Sequence, residues 1–296
     1  MNKTLKTGAC SVVLGDYYYG NFITPKKNKL IKIVKKSKLH DEFKNLTLVR
    51  QIPNYDKYYS IPDEISLLIR PSDLFYEHVK QLALTEDPEL NIFGNNLNCH
   101  FLDIAGHQDL LESIDQIDPN NSFWKNYRCM VNCAKQILLG LSFLHKSKIA
   151  HLDIKPENIM VNEKTATFKI IDFGFSQIEP FKQFILYPRG TPGYFPQQFK
   201  IFEDTEWLPK IKANDMDNVM GGLRMATNYK YVYKIDAYCL GRVLYFLRYI
   251  FNSRIQPSCF SFDSNSRSKL NSLIKLLLEP DVRLRPYIID LAKNFH

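Results

Sequence analysis

Apolar residues in the middle of the chain recur at helical spacing. Between Phe123 and His145, Met130, Ala134, Ile137, Leu141 and Leu144 fall at steps of four and three. This is the stripe of a helix that buries one face. Two short apolar stretches follow, Ile159-Met160-Val161 and Phe168-Lys169-Ile170-Ile171, separated by the polar Asn162-Glu163-Lys164. That alternation predicts a β-hairpin. Val232 to Ile250 and Leu270 to Leu278 read as two more helices. The texture differs upstream. Up to about residue 105, short runs of Val, Ile and Leu are broken by Gly, Pro and Asn, which predicts a small sheet with one or two helices. The expected class is α+β, mainly β in a small N-terminal part and mainly α in a larger C-terminal part.

Composition narrows the class without changing it. The 296 residues allow one large domain or two smaller ones. A 45% hydrophobic and 24% charged chain has the balance of a globular protein with a sizeable core. No apolar run reaches the ~18 residues of a membrane span. Met1 to Val13 lacks the apolar stretch of a secretory signal, so an intracellular protein is expected. The six cysteines form no CxxC pair, and no metal cluster is expected. Cys129 and Cys133 lie one turn apart in the helical stripe, where packing and a reduced state account for them. The formal charge of +8 owes much to Lys26, Lys27, Lys29, Lys32, Lys35, Lys36 and Lys38. A solvated strand and loop explain that cluster. An acidic or nucleic-acid partner is the sharper alternative, but no zinc finger, RNA-binding sheet motif or basic heptad supports it.

The candidate chemistry sits at the outer ends of the predicted hairpin. His151-Leu152-Asp153-Ile154-Lys155-Pro156-Glu157-Asn158 precedes it and Asp172-Phe173-Gly174 follows it. Asp153 can orient a hydroxyl proton and Lys155 can reach a phosphate. Asn158 and Asp172 offer hard oxygen ligands of the kind Mg²⁺ takes. A single loop aspartate is usually a turn residue or cap. An apolar helix, HxDxKxxN, a hairpin and DFG in this order are another matter, because together they hold what phosphoryl transfer needs.

That order resembles the eukaryotic-type serine/threonine protein kinases over nearly the whole chain. The resemblance implies a bilobal kinase-like fold, one kinase domain over 1–296 with an N-lobe at 1–105 and a C-lobe at 106–296. It implies ATP and Mg²⁺, and protein substrates with serine or threonine acceptors. Asp153 takes the role of catalytic base, Lys155 of phosphate contact, and Asn158 and Asp172 of metal ligands. Lys155 also points to serine or threonine rather than tyrosine. Gly190-Thr191-Pro192-Gly193-Tyr194 resembles the loop that receives the peptide, with Thr191 near Asp153 and Lys155. Asp236 resembles the aspartate that ties a C-lobe helix to the catalytic-loop backbone. Leu278 to Arg283 resembles the terminal arginine segment.

The N-terminal likeness is thinner. Lys6, Gly8, Ser11 and Val13 fall at the spacings of GxGxxGxV, with only the second glycine kept. Gly8 still allows a close backbone approach to phosphate. Lys32, in Leu30-Ile31-Lys32-Ile33-Val34, is the expected phosphate-binding lysine, with Lys35 the alternative. Glu42, at the start of an expected helix Glu42 to Leu46, would pair with Lys32; a solvated helix residue is the plain alternative. Cys99 to Gly106 resembles the hinge, with the Asp103 carbonyl and Ala105 amide on adenine and Asp109 on ribose.

Three departures stand out. Leu152 replaces an arginine that normally pairs with a phosphate on the activation segment. Pro196-Gln197-Gln198 replaces Ala-Pro-Glu, whose glutamate would pair with the arginine matched by Arg283 or, alternatively, Arg285. Residues 53–98 and 199–234 are longer than the family's simple connections, with a strand expected at Asp63 to Ile69 and a helix at Phe75 to Leu84. A nucleotide-binding pseudokinase scaffold and a small-molecule phosphotransferase are the competing readings. The abundance of Asn, Lys, Ile, Tyr and Phe resembles kinases of large DNA viruses, or any AT-rich genome.

Overall fold

The computed structural model describes residues 3–8, 11–17, 29–34, 36–62, 64–69, 97–103, 108–117, 123–124, 126–179, 193–194, 196, 231–255 and 264–295. The chain divides into two compact units. One comprises Met1–Ala105 with Asp172–Gly174, the other Gly106–Ile171 with Phe175–His296.

The first unit carries an antiparallel sheet of β1 (Lys3–Gly8), β2 (Ser11–Tyr17), β3 (Lys29–Val34), β4 (Glu64–Ile69) and β5 (Leu97–Asp103), in the order β1-β2-β3-β5-β4. β3 is central. Its Lys32 lies opposite Val13 of β2 on one side and His100 of β5 on the other. The first hairpin is closed by Gly8 opposite Ser11. Helix α1 (Lys36–Arg50) follows β3. Its buried positions Glu42, Asn45, Leu46 and Val49 have the spacing of one helical face. The helix therefore starts well before Glu42, and Glu42 lies in its interior, only 3% exposed. Both the later start and the solvated alternative for Glu42 are corrected by this packing. The short helix α2 (Tyr55–Tyr58) leads into Tyr59, which is also buried. The strand expected at Asp63 to Ile69 is β4. The helix expected at Phe75 to Leu84 lies outside the described residues.

The second unit is mainly helical: α3 (Leu110–Asp115), α4 (Tyr127–Lys146), α5 (Tyr233–Arg254), α6 (Ser264–Leu277) and α7 (Ile288–Asn294). The stripe read from the sequence is the buried face of α4, since Met130, Ala134, Ile137, Leu141 and Leu144 are all fully buried. Each of the larger apolar side chains contributes about 1.5–3 kcal/mol on burial. α4 packs against α5, α6, α7 and the hairpin. That hairpin is β8 (Ile159–Asn162) and β9 (Thr167–Ile170), paired with Ile159 opposite Ile170 and joined at its edge by β6 (Gln108–Asp109). A smaller pair joins β7 (Ile149–Ala150) to β10 (Gln177–Ile178). α5 reaches α6 closely at Gly241, where an added Cβ would lie 2.8 Å from Leu278 Cδ2 and 2.9 Å from Leu277 Cβ. Among the described residues no helix is long and apolar enough to cross a membrane.

Of the two candidate arginines, Arg285 is the buried one and Arg283 the exposed one. Arg283 is exposed and pairs with Asp281, whose carboxyl it holds down at about 2. Arg285 is buried; its Nε donates to the Glu279 carbonyl at 2.9 Å and its Nη1 to the Lys234 carbonyl at 3.2 Å.

Candidate active site

In the second unit, α4 ends at Lys146 and the chain turns through Lys148, at φ 62°, into β7. The loop from His151 to Lys155 comes next. It has no ladder partners of its own, so its amides need another acceptor. Asp236, in the first turn of α5, supplies it and is fully buried. Its carboxylate accepts from the His151 amide at 2.8 Å and the Leu152 amide at 2.7 Å, and lies 2.9 Å from His145 Nε2. The N-terminal end of a helix also favours a negative charge. Leu152 has φ 69°, a left-handed conformation that costs a leucine roughly 1–2 kcal/mol. Two short bonds to one carboxylate hold it there.

His151 connects the loop to the strand before Asp172. The Asp153 amide donates to His151 Nδ1 at 3.3 Å, while His151 Nε2 lies 3.1 Å from the Ile171 carbonyl. An acceptor at Nδ1 and a donor at Nε2 define the neutral Nε2–H tautomer. Asn158 completes the frame. Pro156–Asn158 form a single 3-10 turn, with proline at its start where a missing amide hydrogen costs nothing. The Asn158 amide nitrogen donates to both the Asp153 carbonyl and the Asp153 carboxylate, each at 2.8 Å. Lys155 Nζ stands 3.4 Å from the same carboxylate. Asp153 is thus buried yet aimed by two side chains. Both amide hydrogens of Asn158 are committed, which leaves its oxygen as the atom suited to a hard cation.

The segment Asp172–Gly174 belongs to the first unit. Asp172 has φ 62°, and its carboxylate accepts from the Gly174 amide at 3.2 Å. Asn45 of α1 donates to the Phe173 carbonyl at 3.0 Å. Tyr59 meets the Phe173 ring edge-on at 5.8 Å. A Cβ at Gly174 would lie 3.2 Å from the Asp172 carboxylate and 3.7 Å from that of Glu42. Glu42 therefore lies close to this segment, and the tight approach that glycine eases is to the Asp172 carboxylate. Asn45 and Tyr59 escaped the sequence reading. Asn45 shares the Glu42 face of α1, but its partner is far away along the chain.

The other expected positions divide clearly. Gly8, Ser11, Val13, Lys32 and Asp103 lie on the sheet, with Gly8 opposite Ser11, Lys32 opposite Val13 and Asp103 opposite Lys29. Asp109 is the N-cap of α3; its carboxylate accepts from the Glu112 amide at 3.0 Å, and its own amide donates to the Glu112 carboxylate at 3.2 Å. Any ribose contact must come from this same capping carboxylate. Ala105, Thr191 and Lys35 lie outside the described residues, as does Gln198. Tyr194, beside Thr191's loop, is half-buried. Burial pushes its phenol up to about 12, with the Glu157 carboxylate adding to the shift and Arg242 opposing it.

Residues 91–199 match the family model described as protein kinase domain. Serine/threonine-protein kinase dkf-1 of Caenorhabditis elegans is 42% identical over 66 residues, covering 21% of this chain and 9% of that protein. Probable serine/threonine-protein kinase C70.05c of Schizosaccharomyces pombe is 37% identical over 97 residues, covering 32% of this chain and 12% of that protein. The matches therefore span about a tenth of the length of these curated relatives. The structure of the Cydia pomonella granulovirus kinase PK-1 superimposes with a TM-score of 0.61 at 19% identity, over 98% of this chain and 92% of that one. That likeness shows the fold: a small strand-containing lobe and a helical lobe.

Proposed function

We propose that this chain, whose residues 91–199 match the protein kinase domain model, is an active serine/threonine kinase of one domain, which transfers the γ-phosphoryl group of ATP to protein hydroxyls inside the cell. The observation that carries the reading is the Asp153 carboxylate, held by Asn158 at 2.8 Å with Lys155 at 3.4 Å. A carboxylate so aimed suits a base that receives a hydroxyl proton as the acceptor oxygen attacks phosphorus. The new oxygen–phosphorus bond forms as the bond from the γ-phosphorus to the bridging oxygen breaks, and ADP leaves. Lys155 places a cation beside the transferring group and separates this reading from small-molecule phosphotransfer. Mg²⁺, when bound, would neutralise phosphate charge, and Asn158 and Asp172 are the residues to hold it. Lys32, Gly8, Ser11 and Val13 are assigned to the phosphates, Glu42 to Lys32, and Asp103, Ala105 and Asp109 to the nucleoside. Thr191 is assigned to the acceptor loop. A large-DNA-virus source belongs to the same reading, supported by composition.

The test uses purified protein, ATP, Mg²⁺ and generic basic and acidic protein substrates, with Asp172→Ala beside the natural chain. Phosphate on serine or threonine that disappears in Asp172→Ala is expected. Nucleotide binding without transfer would identify a scaffold instead. Lys32→Ala should reduce transfer far more than Lys35→Ala; equal losses would move the phosphate lysine.

A further inference from the structure

Asp109 is bracketed by a carboxylate that has no part in phosphoryl transfer. Gln108 precedes it in β6, and Ser113 follows it by one helical turn in α3. Both side chains reach Glu163, at the start of the β8–β9 turn. Gln108 Nε2 donates to Glu163 Oε1 at 2.9 Å, and Ser113 Oγ stands 2.9 Å from the same oxygen. The direction of the second bond is fixed by a third. Trp124 Nε1 lies 2.8 Å from Ser113 Oγ, and an indole N–H can only donate. A carboxylate can only accept, so the Ser113 hydroxyl takes the Trp124 hydrogen bond and gives its own hydrogen to Glu163. Ser113 and Trp124 are fully buried, where a donor deprived of its acceptor is costly.

The turn that carries Glu163 is itself held. Asn162 Oδ1 accepts from the Lys164 and Thr165 amides at 3.1 and 3.3 Å. Asn132 and Gln136 of α4 donate to the Ala166 carbonyl at 3.0 and 2.9 Å, and Gln136 Oε1 accepts from the Phe168 amide at 3.0 Å. Glu163 therefore ties both sides of Asp109 to a turn anchored on α4. The flanking elements need such a tie. β6 has two residues, with Asp109 opposite Met160, and α3 has six. Elements this short are marginal in isolation, whereas a binding side chain must be held to within about 0.5 Å.

We infer, on the assignment of Asp109 to the ribose, that Glu163 is a positioning residue for the nucleotide: by clamping Gln108 and Ser113 it sets the place from which the Asp109 carboxylate meets the ribose hydroxyls. The experiment measures Kd by titration calorimetry for ATP and for 2′,3′-dideoxy-ATP, which lacks both hydroxyls, each with Mg²⁺. The ratio of the two reads the ribose contact and requires no phosphoryl transfer. The natural chain should bind ATP about tenfold more tightly. Asp109→Ser, which keeps a capping oxygen, should bring the ratio to about one. Glu163→Ala should lower the ratio by about threefold or more, and Glu163→Gln, whose side-chain oxygen can accept both bonds, should restore most of it. Gln108→Met removes one arm of the clamp and should give a partial loss; it replaces Glu163→Ala if that variant does not fold. No nucleotide binding, no preference for ATP in the natural chain, or an unchanged ratio in Asp109→Ser would overturn the ribose assignment and the role of Glu163 with it. A ratio lost in Asp109→Ser but kept in Glu163→Ala, or in Gln108→Met standing in for it, would overturn the role of Glu163 alone. So would equal weakening of both nucleotides, the mark of a merely structural residue, or a Glu163→Gln variant that behaves like Glu163→Ala.

Discussion

Asp236→Asn changes one atom of a fully buried side chain and should cost about 3–5 kcal/mol of stability. The carboxylate serves three donors, the His151 and Leu152 amides and His145 Nε2, at 2.8, 2.7 and 2.9 Å. A hydrogen bond to a charged group contributes about 1.5–3 kcal/mol. His151 and His145 share one oxygen, Oδ2, so an asparagine oxygen would best be placed there. The new amide group then points its hydrogens at the Leu152 N–H. One charge-assisted bond is lost outright, a buried donor is left unpaired, and the other two bonds fall to neutral strength. Leu152 also loses the contact that offsets its left-handed backbone. Against a total of about 5–15 kcal/mol, the variant remains folded but marginal. Urea titration reads the midpoint at constant slope. If the variant is too unstable to purify, His145→Phe removes one of the three bonds, keeps both backbone contacts, and should cost about 1–3 kcal/mol. A loss below about 1 kcal/mol for Asp236→Asn, with an unchanged slope, would refute the claim that this carboxylate holds the loop.

The two arginines near the C-terminal end should behave oppositely. Arg285→Lys breaks two buried carbonyl contacts and the stacking over Tyr238, and should cost about 2–4 kcal/mol in a thermal melt, whereas Arg283→Lys should leave Tm unchanged. Burial pushes the Cys129 thiol up to about 12 and raises Cys133 and Cys239 well above the usual range. The thiolate fraction of Cys129 at pH 8 is then suppressed by about a thousandfold, and those of Cys133 and Cys239 are suppressed in the same direction, so iodoacetamide labelling read by mass spectrometry should leave all three unmodified in the native state and modified after denaturation.

Helices and hairpin were legible because their signals are local. The α4 stripe, the polar turn at Asn162–Lys164 and the order of Asp153, Asn158 and Asp172 are all readable within short windows. What failed to show were pairings across the chain. Arg283 sits in the expected motif, yet Arg285 is buried, because only the packing of the Glu279–Arg285 turn decides which guanidinium points inward. Glu42 looked like a helix start because the preceding Lys36-Ser37-Lys38 carries no apolar pattern; α1 nevertheless includes it, with burial beginning only at Glu42 among the described side chains. Asn45 and Tyr59 had no motif at all. Their role depends on Phe173, which reaches them from a segment more than a hundred residues later, as the separation of 128 between Asn45 and Phe173 makes plain.

Among the described residues, five non-glycine positions have positive φ: Asn54, Lys148, Leu152, Ala166 and Asp172. Asn54 caps α2, Lys148 follows the end of α4, and Ala166 lies in the β8–β9 turn, so ordinary turn geometry explains those three. Leu152 and Asp172 are different. Neither closes a turn between paired elements, and each adjoins or is itself a candidate catalytic residue. Such conformations cost of order 1–3 kcal/mol each and persist only where surroundings enforce them. At Leu152 the enforcing group is the buried Asp236 carboxylate; at Asp172 the neighbouring Phe173 carbonyl is fixed by Asn45. A fold needing only stability would gain by relaxing both. Both lie in the segments that carry the candidate site residues, where the proposed kinase reading requires a fixed geometry.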